Sequence, residues 1–256
     1  MGELRRPFSK AIAVLRWLVD ASHGSYGVRE ISAAMNAPVT TTHRALNALL
    51  QEGLVVKNDS NRYTLSLEAY RLGLALAPKS PWREVCMPFV RRASRETGET
   101  AAFSIFDPVR LQRFTAARME SDHAVTIVDR GYWKPLHAGA SGLALLSFLD
   151  EATQAEVLGM PNISRETTQT IIDPIELRKK MEAVRAKGYA VTRGQLIAGV
   201  VGIGAPVFHP DGRLLGSMYV SIPEQRFAER REEPIAASLL ACCSAFTNQL
   251  ARGWTG

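Results

Sequence analysis

Cysteine is scarce. Three occur in 256 residues, Cys86 and the adjacent pair Cys242 and Cys243, and they form neither the framework of a disulfide-stapled secreted domain nor a repeated C-x2-C zinc spacing. Long apolar runs are missing too. The longest, Ala138 to Leu149 and Leu196 to Phe208, fall short of the roughly 20 residues a bilayer-spanning helix needs. No secretory leader is read at the start, where Arg5, Arg6 and Pro7 lead into an amphipathic segment rather than a short apolar stretch with a cleavage site. The expectation is a cytoplasmic protein without a membrane partner. Nucleophile elbow, P-loop, dinucleotide fingerprint and H-E-x-x-H are all lacking, so no catalytic residue, metal ligand or cofactor is assigned.

What is present is an ordinary globular composition, 46% apolar and 22% charged, long enough for one large or two modest domains. The net charge of +6 is unevenly placed: ten Lys and Arg face six Asp and Glu through Lys79, against 21 and 19 beyond it. The basic excess accompanies the stretch around which the chain is organised, Val28 to Val56, VREISAAMNAPVTTTHRALNALLQEGLVV. It reads as a short helix, a break at Asn36, Ala37 and Pro38, a second helix and a stop at Gly53. In the second helix Thr42, Ala45, Leu46, Leu49 and Leu50 share one side of a 3.6-residue wheel, while Thr40, Arg44, Asn47 and Gln51 lie opposite, with His43 flanking. Thr40 is expected as the N-cap. A helix start carrying Thr40, Thr41, His43 and Arg44 offers amides, hydroxyls and a guanidinium suited to phosphate oxygens and guanine edges, as a recognition helix requires. Taken alone, the stretch reads equally as an ordinary helical hairpin with a solvated face.

Its surroundings favour the first reading. Ser9 to Ala21 has Ile12, Leu15, Leu18 and Val19 at helical spacing and supplies a support helix. After Gly53, an apolar strand, the turn-rich Lys57 to Asn61 and a second strand from Arg62 to Leu65 make a β-hairpin wing, with Lys57 and Arg62 placed to meet the sugar-phosphate backbone. Ser66 to Ala77 is apolar nearly all round, so it needs two partners; one candidate is the same helix of a second subunit, the other a sandwich within one monomer. Pro78 to Pro81 stops it. The expected domains are therefore 1–78, a winged helix-turn-helix with its linker helix, and 79–256.

The second part alternates elements. Helices are expected at Pro88 to Thr97, Gly139 to Leu149, Pro174 to Lys187 and about Arg230 to Arg252, and strands at Glu99 to Phe106, Leu111 to Ala117, Ala124 to Val128, Val200 to Phe208 and Leu214 to Ser221. This is an α+β fold, a sheet with helices packed against it. In GYWKPLHAGASGLALL, the small residues Ala138, Gly139, Ala140, Ser141 and Gly142 lead straight into a helix. Exposed amides there would seat a carboxylate or phosphate; alternatively, the small residues only permit close helix–sheet packing. His137 beside Ser141 invites a hydrolase reading, but no acid is placed to orient the histidine.

With these pieces in order, the chain resembles the IclR family of bacterial transcriptional regulators over almost its whole length. The segments that carry the resemblance are SKAIAVLRWLVDA, the Val28 to Val56 stretch, RYTLSLEAYRLG, GYWKPLHAGASGLALLSFL and KGYAVTRGQLIAGVVGIGAPVFHPDGRLLGSMYVSIPEQRF. The resemblance implies a winged helix-turn-helix joined by a dimerising linker helix to a GAF-like mixed α/β effector-binding domain, acting on operator DNA as a homodimer or a dimer of dimers. It places DNA contacts at Thr40, Thr41, His43 and Arg44, to which the wheel adds Asn47 and the wing Lys57 and Arg62. The effector site falls on Ala138, Gly139, Ala140, Ser141 and Gly142 and, across the sheet, on Thr192, Gly202, Tyr219 and Ser221.

There the sequence departs from many relatives. Thr192 stands where an acidic residue is common, Gly194 and Gln195 replace a Glu-Glu pair, Gly202 replaces a polar residue, Tyr219 a serine and Leu143 a lysine. These changes remove polar partners while adding an aromatic ring and, on this reading, space, so the expected effector is an aromatic or otherwise bulky carboxylate. The competing classes are an architectural DNA-binding protein without a ligand and a small-molecule hydrolase with a nucleic-acid-binding module.

Overall fold

Ala11, Val14 and Leu18 recur at helical spacing, as do Ala45, Leu46 and Leu49, and the two stripes meet in one core. The computed structural model describes residues 5–21, 24–76, 81–123, 127 and 133–252, and the chain divides into two compact units, Met1–Ser80 and Pro81–Gly256.

In the first unit, helices α1 (Arg5–Asp20), α2 (Val28–Ala34) and α3 (Val39–Gln51) close over Ile31 and Tyr63. The break between α2 and α3 turns on Asn36, whose φ of 46° is a left-handed conformation that asparagine tolerates. Helix α3 begins earlier than expected: its N-cap is Pro38, not Thr40. Proline's ring restricts the residue before it, while its own φ of −59° suits a helix entrance, so Val39 and Thr40 join the first turn. Strands β1 (Val55–Lys57) and β2 (Tyr63–Leu65) pair antiparallel as the wing. Tyr26 adds a bridge to Tyr63, with backbone bonds of 2.9 and 2.8 Å. Helix α4 (Leu67–Leu76) is capped by Ser66, whose hydroxyl accepts from the Ala69 amide at 3.1 Å and donates to the Gly53 carbonyl at 2.5 Å. None of its residues is buried. Of the expected stop at Pro78 to Pro81, residues 78–80 lie outside the described residues, and Pro81 begins the next helix.

The second unit is built on a six-stranded antiparallel sheet in the order β5-β4-β3-β8-β7-β6. Its strands are β3 (Thr100–Asp107), β4 (Gln112–Met119), β5 (Trp133–Pro135), β6 (Ala190–Arg193), β7 (Val200–Phe208) and β8 (Leu214–Pro223). Alternation divides its two faces. Phe103, Val201, Ile203, Met218 and Val220 pack against α5 (Pro81–Thr97) and α9 (Glu232–Leu250). The other face carries α6 (Gly139–Phe148), α7 (Glu151–Leu158) and α8 (Pro174–Lys187), whose apolar residues form a second core.

Two differences from expectation have physical causes. Helix α5 runs through Pro88 instead of starting there, because Cys86, Val90 and Ala93 are buried in one stripe on either side of it and packing outweighs the lost hydrogen bond. Strands β5 and β6 and helix α7 were not foreseen; β5 is three residues long, and α7 has no apolar stripe, though Asp150 caps it by accepting from the Thr153 amide. The strand expected at Ala124 to Val128 lies outside the described residues except for Ile127, which is in no strand. Among the described residues, no helix is long and apolar enough to cross a membrane.

Candidate functional site

Along α3, Thr42, Ala45, Leu46 and Leu49 are buried while Thr40, His43, Arg44, Asn47 and Gln51 are exposed. The wheel is thus realised, with a polar row on a helix held from behind by α1 and α2. His43 Nδ1 and Asn47 Nδ2 stand 3.4 Å apart, one turn from each other. Thr41 is half-buried and, with Arg44, also borders an apolar groove of about 810 Å³ whose walls include Phe8, Ile12, Leu49 and Leu72.

The two wing cations behave differently. Lys57 is exposed, its ammonium 5.7 Å from the centre of the Tyr63 ring. Arg62 is engaged within the unit: Nη2 donates to the Ser25 carbonyl at 2.6 Å and pairs with Glu30 at 2.9 Å. Glu30 also accepts from the Gly27 amide at 2.6 Å, capping α2. That backbone bond, followed by Arg62, holds its carboxyl below the usual range.

In the second unit the small residues do bring α6 onto the sheet. A Cβ at Gly204 would stand 2.7 Å from the Ala140 carbonyl oxygen, and one at Gly142 2.5 Å from that of Leu136. Ser141 Oγ lies 2.7 Å from Ser217 Oγ, both buried. Gly139, Ala140, Ser141, Thr192, Gly202, Tyr219 and Ser221 line one small cavity, together with Arg113, Leu196, Ile197 and Val200. Ala138 and Gly142 are not in its wall; Ala138 is the uncapped N-cap of α6 and Gly142 serves the close approach. The packing reading of this stretch is therefore realised.

The expected space is absent. The cavity measures about 30 Å³, against roughly 300 to 1,000 Å³ for typical ligand sites. A Cβ at Gly202 would come within 3.1 Å of the Ala140 Cβ, so α6 occupies the volume that the glycine vacates, and the Tyr219 ring takes more, its hydroxyl 3.4 Å from Thr115 Oγ1. Arg113, on β4, was missed by sequence reasoning. It is 1% exposed and its Nε and Nη1 have no hydrogen-bond partner. Its guanidinium lies 5.6 Å from the Tyr219 ring centre. The available signal was a charged residue in inward phase with Thr115 on a half-buried strand.

His137 does not meet Ser141. Its Nε2 donates to the Ser164 carbonyl at 2.8 Å, and burial pulls its pKa below the ordinary value. The hydrolase arrangement is therefore not assembled. Burial pushes the Cys86 thiol up to about 12 and raises Cys242 and Cys243, the inert state of packed cysteines. Among the described residues no three His, Cys, Asp or Glu gather as a metal site.

Comparison with known proteins covers both units. Residues 8–59 match the family model described as IclR helix-turn-helix domain, and residues 77–248 that described as bacterial transcriptional regulator IclR C-terminal. The chain is 22% identical over 253 residues to the transcriptional repressor IclR of Escherichia coli K12, covering 93% of this chain and 88% of the relative. It is 28% identical over 225 residues to the HTH-type transcriptional repressor AllR of the same strain, covering 87% and 82%. In fold it is similar to the crystal structure of an IclR regulator from Alicyclobacillus acidocaldarius, with a TM-score of 0.80 at 22% identity over 95% and 98% of the two chains. It is also similar to an IclR homologue of Microbacterium hydrocarbonoxydans complexed with 4-hydroxybenzoate, with a TM-score of 0.75 at 21% identity over 96% and 100%.

Proposed function

Because the chain belongs to the IclR family of bacterial transcriptional regulators, we propose that it is a repressor whose affinity for its operator is set by an organic carboxylate held between α6 and the sheet. The observation that carries this reading is the exposed polar row Thr40, His43, Arg44 and Asn47 on a helix whose opposite edge is locked in a core. That row enters a major groove, while Lys57 on the wing meets phosphate and Arg62 fixes where the wing stands. The repressor names of the curated relatives support repression.

Helix α4 exposes Leu67, Tyr70, Leu74 and Leu76 by more than half each. A second copy covering this face would set two recognition helices on a pseudo-palindrome. The ligand is an aromatic or bulky acid. This rests on the Tyr219 ring, on the polar partners lost at Thr192 and Gly202, and on the 4-hydroxybenzoate bound by one homologue. Its entry displaces Leu196 and Ile197, in a segment bounded by Gly194 and Gly199 with φ of 60° and 71°. The ligand acts through its difference in affinity between DNA-compatible and incompatible states, about 1 to 3 kcal/mol.

Footprinting on the upstream region of the chain's own gene, with and without a panel of acids, tests this reading. Protection of a pseudo-palindrome that an acid relieves is the expected result. Equal retention of random and promoter duplexes would overturn it, and a panel in which only glyoxylate or pyruvate acts would overturn the bulky-acid assignment.

A further inference from the structure

Among the described residues, buried charge is elsewhere paired. Glu99, fully buried, is met by Arg226 Nη2 at 2.6 Å and Arg231 Nη1 at 3.1 Å. Arg113 breaks that pattern: almost as buried, it has two nitrogens without a partner and no carboxylate among the described residues lining its cavity. An isolated buried cation is one of the least favourable arrangements a fold can keep, and sequences usually replace it with an apolar residue of similar volume. The Tyr219 ring, 5.6 Å from the guanidinium, offsets only part of that cost.

The neighbourhood is also positive in a second way. A Cβ at Gly139 would lie 3.7 Å from Arg113 Nη2, so the guanidinium stands at the N-terminus of α6, where the helix amides carry partial positive charge and no side chain caps them. Two sources of positive potential converge on a cavity whose other polar groups include the hydroxyls of Ser141, Thr192, Tyr219 and Ser221.

We infer that Arg113 is the anion anchor and charge-specificity residue of this pocket: the carboxylate of the ligand docks on its guanidinium at the head of α6, with the Tyr219 ring alongside. The inference rests on the ligand-binding reading above and adds which residue pairs with the acid and what it rejects. A planar guanidinium holds a carboxylate through two parallel bonds, which a neutral amide cannot match. The acid therefore supplies the counter-charge that the described residues lining the cavity lack, and the pocket discriminates by charge before it discriminates by shape.

Calorimetric titration of the full chain with benzoate, 4-hydroxybenzoate and pyruvate, and with benzamide and 4-hydroxybenzamide, tests this without any substitution. At least one acid is expected to bind, with its amide weaker by about tenfold to hundredfold. Arg113→Met should weaken the same acid by a similar factor, while the melting temperature of the ligand-free protein holds or rises because an unpaired cation has gone. Arg113→Lys, which keeps the charge without the planar fork, should fall between. Acid binding unchanged in Arg113→Met, or amide binding equal to that of the acid, would overturn the inference and leave the regulator reading standing. Loss of acid affinity together with a melting temperature lowered by several degrees would assign Arg113 a structural role and overturn it as well. If the unmodified chain binds none of the acids, the carboxylate-effector reading falls and this inference with it.

Discussion

Arg62 Nη2 donates to the carbonyl oxygen of Ser25 over 2.6 Å, tying the β-hairpin to the segment before α2. Lys57, at the other foot of the hairpin turn, is exposed. Two cations that look equivalent in sequence therefore differ in their surroundings. Lys57→Ala should weaken DNA binding about equally on all sequences and reduce the slope of log K against log salt by about one, because one phosphate contact releases about one counterion. Arg62→Lys should leave that slope nearly unchanged and lower the melting temperature, since an ammonium cannot reproduce the fork that meets Ser25 and Glu30. Anisotropy titrations between 50 and 200 mM salt, roughly the range over which such slopes are measured, check both.

Arg44 is exposed on the polar row of α3. If it reads a guanine, Arg44→Ala costs about 1 to 3 kcal/mol on the operator and relaxes preference at one base pair. Competition against single-base operator variants measures this; a uniform loss across the series would make Arg44 a phosphate contact instead.

The Ser141–Ser217 contact and the glycines around it predict a tightly seated α6. Gly204→Ala sets a Cβ 2.7 Å from the Ala140 carbonyl oxygen, backbone that cannot step aside without moving the helix. It should cost about 1 to 3 kcal/mol in urea unfolding and weaken acid binding by shifting the head of α6. Normal stability with normal binding would show that α6 is free to slide.

How much of this was legible beforehand depends on how local the cause is. Helix α8 announces itself through Pro174 at its start and Gly188 at its end, and the bounds Pro174–Lys187 follow. Strand β7 was readable as an apolar run, and the buried edge of α3 from spacing alone. What could not be read depended on partners distant in sequence. Gly202 looks like empty space until α6 is seen to fill it, and Pro88 looks like a helix start until the stripe Cys86, Val90 and Ala93 binds both halves to one core. Arg113 looks like any strand arginine, because nothing nearby in sequence shows that it is closed off from solvent with two nitrogens left without a partner. The resemblance named residues that line one cavity, Ala138 and Gly142 excepted, but not the arginine among them.

Glu99 tests how the fold handles charge. Replacing it with glutamine leaves Arg226 and Arg231 facing an uncharged partner. Breaking a buried pair by removing one member costs about 3 to 5 kcal/mol; partial exposure of both arginines places Glu99→Gln near the lower bound. Chemical denaturation of Glu99→Gln beside the parent protein checks this.

The acid limb of stability should carry the mark of His137. The ring is buried, donating to the Ser164 carbonyl, and desolvation outweighs that bond and the charge of Glu166 to hold its pKa below the ordinary 6.5. In the unfolded chain the imidazole takes up its proton near 6.5, whereas in the folded chain it resists until the pH is lower. Between those two values the unfolded state binds more protons, so stability falls as pH falls. The contribution is fully present above about 6.5 and is lost on acidification through the folded-state value, at no more than about 1.4 kcal/mol per pH unit for one proton. His137→Gln keeps a donor for Ser164 without titrating, so its unfolding free energy should decline less steeply between pH 6.5 and 5 than that of the parent. Parallel slopes for the two proteins in that interval would mean that His137 is not the group being protonated there; the carboxylates held below their usual range, Glu96 and Asp107 among them, add their loss only on further acidification below their unfolded values.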